Sequence, residues 1–256
     1  MAVDDRFRLE GKVALLIGGT SGIGREIAIG FAEVGAKVIP VSRTQSKVDT
    51  VVQRIRSAGW KAHGYTADVR NCQEIVELVE KIEREQGGID ILLNSQGVTL
   101  LKSAEAFTEE DYDSLMATNL KSVFFACTEV GKRMLERGSG SIINIGSLAS
   151  FRGWGQSAVY SITKWGVISL TETFAREWAR RGVRVNAIAP GFFMTDLNQS
   201  KMSAERKSQA LERTPMARFG ELGELVGAAI YLASPAASFV TGTTIRVDGG
   251  YLACGI

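Results

Sequence analysis

The chain has 256 residues, 45% of them hydrophobic and 23% charged, as is typical of a folded globular protein. A net charge of +2 is too small to favour binding to nucleic acid or to a membrane surface. The single histidine, His63, excludes a multi-histidine zinc site, and we predict no metal site. Three scattered cysteines without a CxxC pair favour a reducing compartment, so we expect a cytoplasmic protein. We also expect no secretory signal in residues 1–12, and no apolar run reaches the ~20 residues of a membrane span.

Short β-rich runs alternate with helical patterns along the whole chain. The runs are Lys12–Ile17, Lys37–Val41, Ile89–Leu93, Ser141–Ile145, Arg184–Ala189 and Thr243–Val247, with a weaker candidate at Ala62–Ala67. Several runs are apolar throughout, as expected of parallel strands that are covered on both faces. Between them, the spacing of Ile75, Leu78, Val79 and Ile82 predicts an amphipathic helix. We therefore predict an α/β fold in which residues 1–256 form one domain around a single doubly wound parallel sheet of about seven strands.

A glycine-rich turn joins the first predicted strand to the first predicted helix. Residues without a Cβ allow a tight turn, in which backbone N–H groups and the positive end of the helix can meet a pyrophosphate. A tight turn that binds nothing is the alternative. The predicted dinucleotide contacts in this turn are Gly18, Thr20, Ser21, Gly22, Ile23 and Gly24.

The spacing Gly-xxx-Gly-x-Gly resembles the TGxxxGxG motif of the short-chain dehydrogenase/reductase family, rather than the general GxGxxG fingerprint. The resemblance extends from about Leu9 to the C-terminus. It implies an oxidoreductase that interconverts a ketone and a secondary alcohol by hydride transfer with a nicotinamide cofactor. The sequence departs from the motif at Ile17, where the family has a threonine.

The end of the second predicted strand bears on the choice of cofactor. The residues there are Ser42, Arg43 and Thr44, with no acid among them. A carboxylate would repel the 2′-phosphate of NADP, whereas a guanidinium can pair with it, so we predict NADP in preference to NAD. A solvated loop arginine is the alternative for Arg43. By the resemblance, Asp68 and Val69 contact adenine, although Asp68 could equally cap the helix that starts near Asn71.

Two later loops resemble cofactor-binding segments of the family. Asn94, Gln96 and Gly97 follow the fourth strand, with Gln96 in place of a small family residue. The loop after the sixth strand resembles the segment that holds the nicotinamide, and its matching residues are Pro190, Gly191, Phe193 and Thr195. Residues 196–213 are predicted to form a substrate lid, with a plain surface helix pair as the alternative.

The most informative pair is Tyr160 and Lys164, which share one helix face because they lie four residues apart. A phenol with a pKa of ~10 is a poor base, but a neighbouring ammonium favours the phenolate. Alone, such a pair is also typical of a helix surface. Together with Ser147 and Asn119 it resembles the family's catalytic tetrad. That resemblance implies that Tyr160 exchanges a proton with the substrate oxygen, Lys164 binds ribose and lowers the Tyr160 pKa, Ser147 binds the carbonyl oxygen, and Asn119 holds a water.

Other roles are open for two members of that tetrad: Ser147 could cap a turn and Asn119 could cap a helix.

The candidate substrate pocket adds aromatic and hydrogen-bonding side chains to Ser147 and Tyr160, which suits a keto-sugar acid or a small cyclic ketone. These residues are Thr99, Leu148, Phe151, Trp154, Gln156, Phe192 and Met202. Arg213–Gly220 and Val247–Tyr251 resemble gluconate 5-dehydrogenases of the same family, and Pro235–Gly242 resembles tropinone reductases.

Two other functions remain open. A 3-oxoacyl-[acyl-carrier-protein] reductase would need a basic surface for its acidic carrier, but the available cations are interleaved with glutamates, which favours a salt-bridged surface. Those cations are Lys132, Arg133, Arg137, Arg176, Arg180 and Arg181. A non-catalytic protein that senses the cofactor is the alternative of another class.

The resemblance also implies a homotetramer built on the helices that carry Asn119 and Tyr160. The apolar face of Val167, Leu170 and Phe174 could serve that interface or the core.

Overall fold

The structure is a computed structural model that describes residues 3–195 and 202–253. Its central feature is one sheet of seven parallel strands in the order β3-β2-β1-β4-β5-β6-β7, which confirms the predicted doubly wound α/β fold. The strands are β1 (Val13–Ile17), β2 (Lys37–Ser42), β3 (Tyr65–Thr66), β4 (Ile91–Asn94), β5 (Gly140–Ile145), β6 (Val183–Pro190) and β7 (Thr244–Val247).

Eight α-helices lie within the part of the chain that the structure describes. They are α1 (Gly22–Glu33), α2 (Gln45–Ser57), α3 (Cys72–Gln86), α4 (Glu109–Met116), α5 (Ser122–Arg137), α6 (Ala158–Trp178), α7 (Ala204–Glu212) and α8 (Val226–Ala233). A π-helical turn, Ala117–Lys121, joins α4 to α5. None of the helices in the described ranges is both long enough and apolar enough to cross a bilayer.

Helices cover both faces of the sheet. One hydrophobic cluster packs α3, α5 and α6 against the strands, and a second packs α1, α2 and α8 against the other face. All four predicted apolar residues of α3 are buried in the first cluster, as are Val167, Leu170 and Phe174 of α6. Of the two alternatives for that α6 face, the structure therefore places it in the core.

The third strand is much shorter than the predicted run Ala62–Ala67. Only Tyr65 and Thr66 pair regularly with β2, while Ala62 forms an isolated bridge to Val38. Between Ala62 and Tyr65, helix α2 lies so close to the main chain that a Cβ on Gly64 would collide with Val48. This close approach of the helix interrupts the edge strand.

The order of the strands locates the candidate site. From β1, the chain proceeds to β2 and β3 on one side of the sheet and then returns to β4 on the other side. Ile17 at the end of β1 is in register with Asn94 at the end of β4. In open α/β sheets, ligands bind at the carboxyl ends of the strands where the order reverses, so the loops after β1 and β4 border the expected crevice.

Candidate active site

A cleft of about 910 Å³ opens at the carboxyl ends of the strands. Most residues that the sequence nominates lie on its wall: Gly18, Ser21, Gly22, Ile23, Gln96, Gly97, Ser147, Trp154, Tyr160, Lys164, Pro190, Gly191, Phe192, Phe193 and Thr195. Thr99, Leu148 and Met202 from the candidate pocket lie there too. One cavity therefore joins the glycine turn to three members of the tetrad.

Several predicted site residues lie behind or beside this wall. They are Thr20, Gly24, Ser42, Arg43, Thr44, Asp68, Val69, Asn94, Asn119, Phe151 and Gln156. Gln156 is exposed, has a positive φ of 62°, and borders an adjoining cavity instead of the cleft. The wall also contains two cations that sequence reasoning missed as site residues, Lys47 in the first turn of α2 and Arg206 in α7.

The glycine turn is packed so closely that Gly18 and Gly24 have no room for a side chain. Gly18 and Gly22 have φ values of +76° and +48°. A Cβ on Gly18 would lie 2.8 Å from the main-chain nitrogen of Gln96, and one on Gly24 would collide with the Gly18 carbonyl. Backbone of this kind, at the start of α1, fits the cradle of a dinucleotide pyrophosphate.

Ile17 does not disturb this turn. Its side chain is buried in the core, and its carbonyl accepts a hydrogen bond of 2.9 Å from the Ser95 N–H. The N–H of Gly18 donates to the Val41 carbonyl at 3.0 Å. Main-chain bonds thus hold the β1 turn against its neighbours, although the family threonine is missing.

Helix α6 and strand β5 position the chemical groups. The Lys164 Nζ donates to the Ile145 carbonyl at 2.8 Å and lies 5.9 Å from the centre of the Tyr160 ring. Ser147 follows β5, and its hydroxyl accepts a bond of 3.1 Å from the Ala149 N–H. Ser147 therefore caps a turn, as one alternative predicted, and also lies on the cleft wall.

Burial controls the ionisation of these groups. It raises the pKa of Tyr160 above its usual value, and the hydrogen bond with Ser147 acts in the opposite direction. It lowers the pKa of Lys164 from 10.5 to about 8. The loss of water around the phenol outweighs this hydrogen bond, so the net direction of the Tyr160 pKa is upward. The lowering of the Tyr160 pKa by Lys164 stays a prediction. The protein itself thus keeps Tyr160 protonated at neutral pH.

Asn119 lies inside the π-helical turn and is fully buried, so the prediction that it could cap a helix is wrong. Its Nδ2 donates to the Val98 carbonyl at 2.8 Å, and its Oδ1 accepts from the Val98 N–H at 2.8 Å. A Cβ on Gly97 would lie 3.6 Å from Asn119 Oδ1 and 3.7 Å from Lys164 Nζ. Asn119 thus fixes the loop that borders Lys164.

A chain of buried amides stands behind the loop after β4. Asn94 donates to Asn144 Oδ1 at 2.9 Å, and Asn144 donates to Thr171 Oγ1 at 3.0 Å. Gln96 donates to Asn94 Oδ1 at 3.3 Å and to Ser122 Oγ at 3.0 Å. Gln96 Oε1 is the one buried side-chain oxygen or nitrogen in the described residues that lacks a partner. The Asn94 side chain therefore braces the core, and Asn144 was missed because its sequence context is simply a buried strand.

At the end of β2, Arg43 is mostly exposed and its Nη1 lies 4.0 Å from Asp68 Oδ2. Arg70 binds the same carboxylate at 2.5 Å, and its hydrogen bonds lower the Asp68 pKa. Asn71 caps α3 by accepting a bond of 3.0 Å from the Gln73 N–H. The alternative that Asp68 caps this helix is therefore wrong, since the carboxylate lies between two guanidiniums.

The loop after β6 is fixed by close packing. A Cβ on Gly191 would lie 2.6 Å from the Cα of Asp248, and Phe193 pairs with Gly220 through an isolated bridge. In the predicted lid, residues 196–201 lie outside the described residues, and Ala204–Glu212 is α7. No group of three potential metal-ligating side chains occurs among the residues that the structure describes.

Comparisons with known proteins identify relatives along the whole chain. A family model described as Enoyl-(Acyl carrier protein) reductase matches residues 18–252. Gluconate 5-dehydrogenase of Gluconobacter oxydans (strain 621H) is 39% identical over 251 residues, which cover 98% of each chain. The 3-oxoacyl-[acyl-carrier-protein] reductase of Thermotoga maritima is 38% identical over 243 residues, 95% of this chain and 98% of that one.

A solved structure extends this similarity to three dimensions. The gluconate 5-dehydrogenase from Burkholderia cenocepacia J2315, crystallised in complex with NADP and tartrate, is 38% identical. It matches with a TM-score of 0.96 over 99% of this chain and 100% of that one. These similarities agree with the family that the glycine turn and the Tyr160–Lys164 pair predicted. The chain belongs to the short-chain dehydrogenase/reductase family of oxidoreductases.

Proposed function

We propose that the chain is an NADP(H)-dependent oxidoreductase that interconverts a ketone and a secondary alcohol. This proposal rests on one observation: Ser147, Tyr160 and Lys164 line the same cleft as the glycine turn. NADP(H) supplies or accepts the hydride when it is bound. The glycine turn would hold its pyrophosphate, Phe193 and Thr195 its nicotinamide end, and Arg43 and Lys47 its 2′-phosphate. NADP in the Burkholderia neighbour supports this choice of cofactor.

Each polar side chain of the cleft would carry out one part of the proton transfer. Tyr160 is half-buried on the cleft wall and protonated, so it can give its proton to a carbonyl oxygen as that oxygen gains charge. The Ser147 hydroxyl stabilises the same oxygen by hydrogen bonding. Lys164, with a pKa of about 8, stabilises the resulting phenolate and can exchange protons near neutral pH. For alcohol oxidation the phenolate is needed, so the rate should rise with pH.

The pocket and the relatives support a keto-sugar acid as substrate, with a small cyclic ketone as the second candidate. Trp154 and Phe192 provide apolar surface on the cleft wall, and Ser147 and Tyr160 provide donors. Gluconate 5-dehydrogenases are among the relatives. We propose that residues 202–213, the described part of the predicted lid, cover this pocket, since Met202 and Arg206 lie on its wall. The proposed arrangement remains one domain over residues 1–256.

A 3-oxoacyl-[acyl-carrier-protein] reductase is the second candidate, because a relative with that name is 38% identical. The ion pairs of two surface cations speak against it: Lys132 pairs with Glu129 at 2.6 Å and Arg137 with Glu83 at 3.0 Å. In the described residues the other four cations, Arg133, Arg176, Arg180 and Arg181, form no ion pair within 4.0 Å, so a basic surface for a carrier is only partly reduced. Comparing acetoacetyl thioesters with keto-sugar acids and cyclic ketones as oxidants of NADPH distinguishes the candidates.

The central test is Tyr160→Phe. Removing only the phenolic oxygen should lower kcat by at least about 100-fold while the NADPH dissociation constant stays nearly constant, because general acid catalysis is lost but the fold is kept. The matched control is Tyr112→Phe, which changes an exposed tyrosine of α4. Unchanged turnover in Tyr160→Phe would contradict the mechanism. Binding of NADPH without turnover of any ketone by the wild type would favour the cofactor-sensing alternative.

We also propose a homotetramer in the cytoplasm. Phe124 of α5 and Ile162 and Trp165 of α6 are large apolar side chains that are 42–52% exposed, which supports an interface between copies of the chain. Cys72 and Cys127 are free thiols, which supports a reducing compartment.

A further inference from the structure

A second cavity, of about 880 Å³, adjoins the active-site cleft, and we call it the outer chamber. The two cavities share Leu101, Trp154, Phe192 and Arg206 on their walls. The outer chamber is further bordered by the loop 152–156, by α7 and by Tyr251. A molecule that reacts at Tyr160 can therefore extend past the shared wall into this space.

The outer chamber is strongly positive. Arg152, Arg206 and Arg213 line it, and Glu205 is the one carboxylate that accompanies them on its wall. Among the described residues, none of the three guanidiniums takes part in an ion pair within 4.0 Å. Glu205 is held at the start of α7, where its own N–H and the Ser203 hydroxyl lower its pKa. On the described wall of the chamber, three cations thus accompany a single carboxylate, and none of them is paired with it.

Three aromatic rings lie between the cleft and the outer chamber, while Arg206 borders both. The rings of Trp154, Phe192 and Tyr251 contact one another, with centroids 5.3–5.7 Å apart. Trp154 and Phe192 lie on both walls, and Tyr251 lies on that of the chamber. Such rings offer a surface for the C–H face of a short carbon chain, with a charged group on the far side.

We propose that the substrate carries an oxyanion, a carboxylate or a phosphate, at the end remote from its reacting carbon, and that Arg152, Arg206 and Arg213 bind it in the outer chamber. The proposal rests on the proposed function, because it places the reacting carbon beside Tyr160. Planar guanidiniums pair with carboxylate and phosphate oxygens through two parallel hydrogen bonds. The chamber thereby selects an anionic ketone over a neutral cyclic one.

The test compares three ketones that share one carbonyl and one carbon skeleton. Their remote ends carry a carboxylate, a phosphate ester or a neutral hydroxymethyl group, and NADPH consumption gives kcat/KM for each. The kcat/KM of at least one anionic ketone should exceed that of the neutral ketone about tenfold, and the preferred anion identifies the group that binds. Arg152→Gln and Arg213→Gln should each reduce this preference about tenfold, chiefly through KM, and leave the neutral ketone unaffected.

The control is Arg181→Gln, which removes an exposed arginine at the far end of α6 and should leave the preference unchanged. The second readout is the Tm of the NADP-saturated protein, which the anionic ketones should raise in the wild type but not in the double variant Arg152→Gln/Arg213→Gln. Turnover with equal kcat/KM for all three ketones, or a preference that survives in both single variants, would overturn the oxyanion site but not the proposed function. An anion-specific rise in Tm without turnover of any ketone would overturn the proposed function and support the oxyanion site.

Discussion

Burial of the Lys164 side chain, which is only 4% exposed, lowers its pKa from 10.5 to about 8. The unfolded chain therefore binds this proton more tightly than the folded protein does, so this group opposes folding below pH 8 and ceases to do so as pH rises toward 10.5. We expect the unfolding free energy of Lys164→Met, relative to wild type, to fall by about 2 kcal/mol between pH 7 and pH 9.5. Urea denaturation at both pH values measures this change.

The control for Lys164 is Lys61→Met, which removes an exposed charge at the surface. An ammonium in water has no burial penalty, so the difference between this variant and the wild type should stay constant over the same range. A difference between Lys164→Met and wild type that is equally constant would show that burial does not change the affinity of Lys164 for its proton.

Arg43 is the single side chain that we propose selects NADP over NAD. Its guanidinium is largely exposed, and Asp68 nearby is already bound by Arg70, so Arg43 keeps donors for a 2′-phosphate. Arg43→Ala should raise the KM for NADPH about tenfold or more and leave that for NADH nearly constant, because NADH has no 2′-phosphate. Arg54→Ala, on the exposed side of α2, is the control. An equal loss of affinity for both cofactors would contradict the predicted role.

Among the elements, β4, β5 and α6 are joined by the amide chain from Asn94 through Asn144 to Thr171. Asn144→Ala removes the oxygen that accepts from Asn94 Nδ2 and the amide that donates to Thr171 Oγ1. Two buried hydrogen bonds are lost and a cavity is left, so the unfolding free energy should fall by about 2–4 kcal/mol. Thr171→Val removes the next link of the same chain. The double variant should deviate from additivity by about 1 kcal/mol or more in urea denaturation, whereas additive losses would show that the two bonds act independently.

The same elements show what the sequence could predict and what it could not. Apolar runs and the spacing of Ile75 to Ile82 are local, so α3 and the strands other than β3 were predictable. The glycine turn and the Tyr160–Lys164 pair were also predictable, because each is one contiguous segment. The π-helical turn around Asn119 and the Asn94–Asn144 bond depend on contacts between segments far apart in the chain. Asp68 combines both kinds of contact: Arg70 is a local partner two residues away, whereas Arg43 comes near because of where β2 and β3 end.

For the whole molecule, the strand order places the cleft where the order reverses, and the tetrad helix α6 forms both part of that cleft and part of the outer surface. Tyr160 and Lys164 face inward from α6, while Ile162 and Trp165 are about half exposed. Any partner that covers the outer side of α6 therefore also supports the side that carries Tyr160 and Lys164. Assembly and activity should be coupled for this reason.

Trp165→Glu tests that coupling. A carboxylate in place of an indole that another copy of the chain covers would be buried without a partner, so the protein should sediment as dimers or monomers instead of tetramers. Turnover should fall with dissociation, because α6 loses its outer support. Analytical ultracentrifugation and NADPH consumption at matched concentrations measure the two effects. Val3→Glu changes an apolar residue that is 65% exposed and lies far from α6 in the sequence, and this control should remain tetrameric and active. A wild-type chain that sediments as a monomer while it turns over at full rate would exclude the α5–α6 surface as an interface.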